Sequence, residues 1–97
     1  MTKPAYILVD ARSSDPERMV EYRQLAQSAV AAFGGRYLVR GAPYETLEGN
    51  WQPQRVVVLE FPSMEAARKF YDSPEYGVAR RVRDGVSAFD MLLVEGY

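Results

Sequence analysis

Apolar residues fall into four short blocks along the chain, and between the blocks they recur at three- and four-residue spacing. Short blocks rich in β-branched residues predict strands, and the longer period predicts helices. The predicted strands are residues 5–10, 36–40 with a continuation over 44–48, 55–61 and 89–95. The order strand, helix, strand, strand, helix, strand is typical of a ferredoxin-like βαββαβ fold. We therefore predict one α+β domain over residues 1–97, with an antiparallel four-stranded sheet and two helices on one face.

The helices are predicted from their start and stop signals. Asp15 can cap a first helix that Pro16 opens, and the glycine pair 34–35 ends it. Ser63 is the expected cap of the second helix. The run Ser73-Pro74-Glu75 repeats the start signal, so the second helix is expected to break and restart there.

Side chains on a strand alternate between the two faces of a sheet, and here both faces are apolar. The face under the helices is expected to hold Ile7, Val9, Val39, Val57, Leu59, Phe61, Leu92 and Val94. The second face is expected to hold Tyr6, Leu8, Asp10, Arg36, Leu38, Arg40, Val56, Val58, Glu60, Met91, Leu93 and Glu95. A solvated face would alternate apolar with polar residues, whereas this one has charges only near the strand ends. A contiguous apolar patch marks an interface, so we expect a homodimer that pairs through its sheet faces.

A polar cluster is predicted at one end of the second face. It depends on a further expectation, that the first and third strands are parallel neighbours, which brings Asp10 and Glu60 together at their carboxyl ends. If residues 44–48 fold back as a hairpin, Arg40 comes to lie beside Glu60. If the break at Ala42-Pro43 shifts the register, Arg36 takes that place instead.

The absence of histidine and cysteine limits the available chemistry. Thiolate nucleophiles, Ser–His or Cys–His pairs and Cys/His zinc sites are excluded, so acid–base work falls to Asp, Glu, Tyr, Lys or the substrate. The carboxylates are too scattered to predict a metal site, and no cofactor is expected. A net charge of −1 without a basic block predicts no nucleic-acid binding. No apolar run is long enough to span a bilayer and no signal peptide is evident, so we predict a cytoplasmic protein without membrane contact.

Several motifs together resemble the domain of unknown function 1330 family. They are Tyr6 to Asp10, Asp15-Pro16 with Tyr22, the run GGRYLVRG from Gly34 to Gly41, Arg55 to Ser63 with its EFPS ending, Ala66-Ala67, Phe70-Tyr71, the run SPEY from Ser73 to Tyr76, and Val94 to Gly96. The resemblance covers nearly the whole chain and implies membership of the dimeric α/β-barrel group, in which ferredoxin-like subunits pair sheet to sheet. It implies no activity. Ala42 departs from the family, which often has a second glycine there.

The dimeric barrel group also contains small monooxygenases, isomerases and dechlorinases. Some of these enzymes depend on a histidine, so their mechanisms do not carry over to this chain. Fold analogy leaves cofactor-free chemistry on a reactive substrate as a possibility.

Two functions follow as hypotheses. The first is a module that binds a small hydrophobic or aromatic molecule between the sheet and the helices, and the alternative is a cofactor-free enzyme, monooxygenase- or isomerase-like. The candidate ligand-binding residues are Asp10, Tyr22, Arg36, Arg40 and Glu60.

Each candidate group also has a structural interpretation. The charged cluster is then an ion pair that closes the barrel mouth. Tyr22 and Tyr76 are then core residues whose hydroxyls reach the surface, and the alternative for both is a phenol hydrogen-bonded to a ligand or to the partner chain. Trp51, in a turn, is expected to be a packing or interface residue, with a ligand lid as the alternative.

Overall fold

Each apolar block becomes a strand in the computed structural model, which describes residues 2–97. The elements in chain order are β1 (Ala5–Ser13), α1 (Pro16–Ala32), β2 (Arg36–Arg40), β3 (Val56–Phe61), α2 (Met64–Asp72), α3 (Pro74–Arg83) and β4 (Ser87–Glu95). The sheet order is β2-β3-β1-β4, and every neighbouring pair is antiparallel. The predicted ferredoxin-like fold is confirmed, with three helices in place of two.

The helices begin where the capping residues predict. The Asp15 side chain accepts a hydrogen bond from the backbone N–H of Arg18 at 3.1 Å, and Pro16 fills the first helical turn. Ser73 separates α2 from α3, because its extended backbone precedes Pro74 and its hydroxyl accepts the N–H of Tyr76 at 3.1 Å. The predicted break is therefore present, and it accounts for the third helix.

The orientation of β1 and β3 differs from the expectation. The two strands are antiparallel, with Ala5 opposite Phe61 and Asp10 opposite Val56. Helix α1 makes β1 parallel to β2, and β3 inserts between them after a reversal, so it must oppose both. Glu60 therefore lies opposite Tyr6 rather than near Asp10. Four residues of strand separate these ladder positions, about 13 Å at roughly 3.3 Å per residue.

The prediction of which β4 side chains lie on which face of the sheet was wrong. Met91 pairs with Val9 and Leu93 with Ile7, and both β4 side chains pack against the core under the helices. Leu92 and Val94, which were expected in that core, face the other way and are 67% and 45% exposed. Apolar residues occupy both parities of this strand, so the alternation alone does not decide which set turns inward.

A β-bulge in β2 turns the side chains of its last two residues to the opposite faces of the sheet. Tyr37 pairs with Leu59, but Val39 pairs with Val58 and Arg40 with Val57, so one residue of β2 has no partner. Val39 consequently leaves the helix side, and Arg40 moves onto it, the reverse of the expected placement.

The predicted continuation of β2 does not form. Residues 41–55 are a connecting segment without strand structure, and Tyr44, Leu47 and Trp51 in it are exposed. The Tyr44 hydroxyl donates to the Pro53 carbonyl at 2.7 Å, which closes this segment on itself.

One hydrophobic core lies between the sheet and the helices. Ile7, Val9 and Leu59 of the sheet are buried there, and the rings of Phe61, Phe70 and Tyr76 pack in series. The described chain is only 17 Å thick in its shortest dimension, because helices cover one face of the sheet alone. Within residues 2–97, no helix is long and apolar enough to cross a membrane.

Candidate functional site

A narrow pocket lies between α1, the sheet and α3, and we call it the helix-side pocket. Its apolar lining includes Val9, Ala26, Val30, Val57, Leu59 and Met91. The enclosed volume is about 40 Å³, which is room for about three water molecules. This is less than the roughly 150 Å³ cavity known to hold benzene. An aromatic ring therefore enters only when side chains at the mouth move outward.

Two tyrosine hydroxyls form the polar floor of the helix-side pocket. The hydroxyls of Tyr22 and Tyr76 lie 2.7 Å apart, in residues that are 8% and 1% exposed. The expectation that these hydroxyls reach the surface was wrong, because each satisfies the other inside the core. Burial raises the pKa of Tyr22, and the neighbouring Tyr76 raises it further. The Tyr22 phenol is therefore neutral at ordinary pH and acts as a hydrogen-bonding group rather than as a base.

Three arginines, Arg23, Arg40 and Arg55, line the mouth of the helix-side pocket, and we call them the mouth arginines. Arg40 lies 4.2 Å above the ring of Tyr37 and donates to the side-chain oxygen of Gln27 at 2.7 Å. Burial lowers the pKa of Arg55, and the like charges of the other two lower it further. None of the mouth arginines pairs with a carboxylate within residues 2–97.

The opposite side of the sheet, which we call the open face, presents the apolar side chains of Leu8, Val56, Val58, Leu92 and Val94. These residues pair across neighbouring strands, with Leu8 opposite both Val58 and Leu92. The open face is therefore a contiguous apolar surface, and charged groups occupy its two ends.

Asp10 marks one end of the open face and is only 6% exposed. Its carboxylate accepts hydrogen bonds from the Arg12 guanidinium and, at 3.1 Å, from the backbone N–H of Gln54. Arg12 also donates to Asp90 at 2.8 Å, and this hydrogen bond is the main reason why the pKa of Arg12 is raised. Asp10 thus fixes the end of the 41–55 segment to β1 by accepting the Gln54 N–H. Its charged partner is Arg12, an arginine that the sequence analysis did not single out.

Glu60 marks the other end of the open face. Arg36 donates a hydrogen bond to the Glu60 carboxylate at 2.6 Å. Of the two arginines predicted as partners of Glu60, Arg36 is therefore the one that pairs with it. Partial burial and the hydrogen bond to Glu60 raise the pKa of Tyr6 beside this pair. The expected cluster of Asp10, Arg40 and Glu60 does not form, because these residues lie at three separate places.

Two of the five predicted site residues, Tyr22 and Arg40, meet in the helix-side pocket. Arg23 and Arg55 were missed, although the sequence carries a signal for each. Arg23 follows Met19 by four residues, which places a charge on the apolar stripe of α1. Arg55 shares the strand parity of Val57, so its side chain points toward the helices. The bulge that turns Arg40 toward the same mouth leaves no comparable trace in the sequence.

The described residues offer little for a metal ion. Within residues 2–97, no group of three or more carboxylate side chains lies close enough to hold one. The helix-side pocket has no Asp or Glu in its lining. Its chemistry is limited to apolar contact, neutral phenols and fixed positive charge.

A profile of a protein family, described as a domain of unknown function (DUF1330), matches residues 4–97. The chain belongs to the DUF1330 family. No curated protein matches it. Membership accounts for the fold but assigns no reaction to the helix-side pocket.

Solved structures similar to this DUF1330 chain share its fold. A protein of unknown function from Rhodopseudomonas palustris is 18% identical, with a TM-score of 0.77 over 100% of this chain and 85% of its own. SnoaB, a cofactor-independent oxygenase from Streptomyces nogalater, is 10% identical, with a TM-score of 0.68 over 99% of this chain and 95% of its own. A dimeric ferredoxin-like protein of unknown function from Thermobifida fusca is 17% identical, with a TM-score of 0.62 over 99% and 92%. At these identities the likeness extends to the fold alone.

Proposed function

We propose that this DUF1330 protein is a homodimer that binds a small hydrophobic or aromatic molecule in the helix-side pocket. The observation that carries the proposal is the pocket's composition. Its walls are apolar, its floor is a hydrogen-bonded tyrosine pair and its mouth is positively charged. Apolar walls with a few convergent polar groups are typical of small-molecule sites.

The open face supports the homodimer. Leu92 and Val94 are large, apolar and exposed, and they continue the row formed by Leu8 and Val58. Such a surface is costly to leave in water, at about 25 cal/mol for each Å² that a partner would bury. A second copy of the same face is the simplest cover, and the similar protein from Thermobifida fusca is dimeric.

The substitution Val58→Asp tests the dimer. It places a charge at the centre of the open face, where a second sheet would bury it without a partner, so it should split or unfold the dimer. Val20→Asp is the matched control, because Val20 is exposed on α1, away from the open face. Sedimentation should give a dimer for the wild type and for Val20→Asp at micromolar concentration. A monomeric wild type would refute the dimer.

Nuclear magnetic resonance with 4-methylphenol, a neutral single-ring probe, tests the pocket. Binding should shift the amide signals of pocket residues such as Ala26, Tyr37 and Phe89 and leave those of Leu92 and Val94 unchanged. Shifts confined to the open face, or no shifts at millimolar probe, would contradict a ligand site between sheet and helices.

A cofactor-free enzyme is the second candidate, and the fold shared with SnoaB favours it. The pocket lining holds no carboxylate and the Tyr22 phenol stays neutral, so the protein offers no evident base there. A substrate would have to ionise without one, helped by the mouth arginines. A thermal-shift screen against metabolites, followed by mass spectrometry of each hit after long incubation, separates the candidates. Conversion of a hit favours the enzyme, and unchanged recovery favours the binding module.

Of the predicted site residues, we propose that Tyr22 and Arg40 contact the ligand. Asp10, Arg36 and Glu60 lie at the ends of the open face, and we propose that they form structural ion pairs there. The single domain, the cytoplasmic location and the absence of cofactors and nucleic-acid partners stay predictions.

A further inference from the structure

Within the described part of the chain, residues 2–97, the mouth arginines form no ion pair with a carboxylate. The chain carries 13 acidic and 12 basic residues, so carboxylates are not scarce. The ion pairs in residues 2–97 use Arg12, Arg36, Arg68 and Lys69, and none uses a mouth arginine. The side-chain partner of Arg40 is the neutral amide of Gln27. Three arginine side chains thus line one pocket, and none of them pairs with a carboxylate within residues 2–97.

The like charges of the mouth arginines act unfavourably on one another. Arg55 is partly buried and feels the charges of Arg23 and Arg40, which is why its pKa is lowered. It also packs against Gly41, where a side chain would overlap its guanidinium, so the backbone there leaves room for the arginine. An anion at the mouth would relieve the mutual repulsion and gain hydrogen bonds strengthened by charge.

The lining of the pocket behind the mouth indicates the shape and polarity of the rest of the ligand. Tyr22, Tyr37 and Phe89 present aromatic rings to the pocket, and apolar residues form the remaining wall. A flat apolar body with an acidic group at one end fits this arrangement. We infer that the ligand is a small aromatic acid, whose carboxylate or acidic hydroxyl is held by Arg23, Arg40 and Arg55 while its ring lies between sheet and helices. This inference rests on the proposed function and names the ligand class.

Two planar probes of nearly equal shape test the charge. 4-Hydroxybenzoate carries the anion, and 4-hydroxybenzamide replaces it with a neutral amide. We expect calorimetric titration of the wild-type protein at low salt to show at least tenfold tighter binding of the benzoate. The advantage should shrink as salt is added, because the charges at the mouth are partly exposed.

Substitutions test whether the mouth arginines cause the preference for benzoate over benzamide. Arg55→Met keeps an unbranched side chain but removes the charge, so it should abolish most of the preference for benzoate. Arg55→Lys should restore part of it, because a point charge lacks the paired geometry of a guanidinium. Arg18→Met is the matched control, since Arg18 is exposed on the same helix as Arg23 but does not line the pocket. Unfolding midpoints of all three variants check that each folds.

The outcomes separate the inference from the proposed function. Equal binding of benzoate and benzamide in the pocket would overturn the acidic ligand and leave the proposed function intact. A benzoate preference that Arg18→Met and Arg55→Met reduce equally would also overturn it, because general charge would then be the cause. Binding of neither these probes nor 4-methylphenol would overturn both.

Discussion

The buried tyrosine pair gives the sharpest stability prediction. Tyr22→Phe removes one hydroxyl and leaves that of Tyr76, in a residue 1% exposed, without its partner at 2.7 Å. An orphaned buried hydroxyl costs about 1–3 kcal/mol. Each kcal/mol lowers the unfolding midpoint of a domain of this size by about 4–8 °C. Tyr76→Phe should have a similar cost, because it orphans the hydroxyl of Tyr22.

The double variant Tyr22→Phe/Tyr76→Phe separates an orphaned group from a lost bond. With both hydroxyls gone, only the net value of one hydrogen bond disappears, about 0.5–1.5 kcal/mol. The double variant should therefore lose less unfolding free energy than the two single variants lose in sum. The difference, which is the coupling energy of the pair, should be about 1 kcal/mol or more. Urea unfolding at one fixed protein concentration measures this, because dimerisation makes stability depend on concentration. Tyr97→Phe, in a fully exposed residue, is the control and should change nothing. Additive single effects would refute the reasoning.

Three further predictions concern packing, the 41–55 segment and pH. Gly35→Ala would place a Cβ 2.5 Å from the Phe61 ring and should cost about 1–3 kcal/mol in urea unfolding, whereas Gly77→Ala in α3 meets nothing closer than 3.9 Å and should gain up to about 1 kcal/mol. Asp10→Ala removes the acceptor for the Gln54 N–H and should speed proteolysis within residues 41–55, and an unchanged cleavage rate would contradict that anchoring role. The pKa of Tyr22 is raised in the folded state, so its contribution is complete below pH 10, its value when unfolded, and falls by up to about 1.4 kcal/mol per pH unit above it. Tyr22→Phe should flatten the alkaline decline of unfolding free energy, and an equally steep decline in this variant would contradict the shift.

The sequence predicts the elements because their signals are local. Asp15, Ser63 and Ser73 cap the helices as expected, since a side chain three residues from its backbone partner needs no tertiary information. The β-branched run of β3 is a strand for similar reasons. The sequence of residues 44–48 also predicts a strand, but this segment pairs with no strand of the described sheet and is irregular.

The candidate site was harder to predict, because it depends on register. Arg40 belongs to the open face by simple alternation, and a single unpaired residue in β2 carries it to the helix side. Leu92 and Met91 are both apolar, so only pairing with β1 decides which one enters the core. Asp10 and Glu60 were predicted to meet because β1 and β3 were expected to be parallel. The two strands are antiparallel, so the residues lie at opposite ends of their ladder.

A crystal structure of the protein with 4-hydroxybenzoate tests the central claim most directly, because it locates the ligand and the partner subunit together. We predict that the ring lies between sheet and helices beside Tyr22 and Tyr37, with its carboxylate at the mouth arginines. We also predict that the open face around Val58 is covered by a second copy. A ring bound between the two sheets, or an open face left in solvent, would contradict the account.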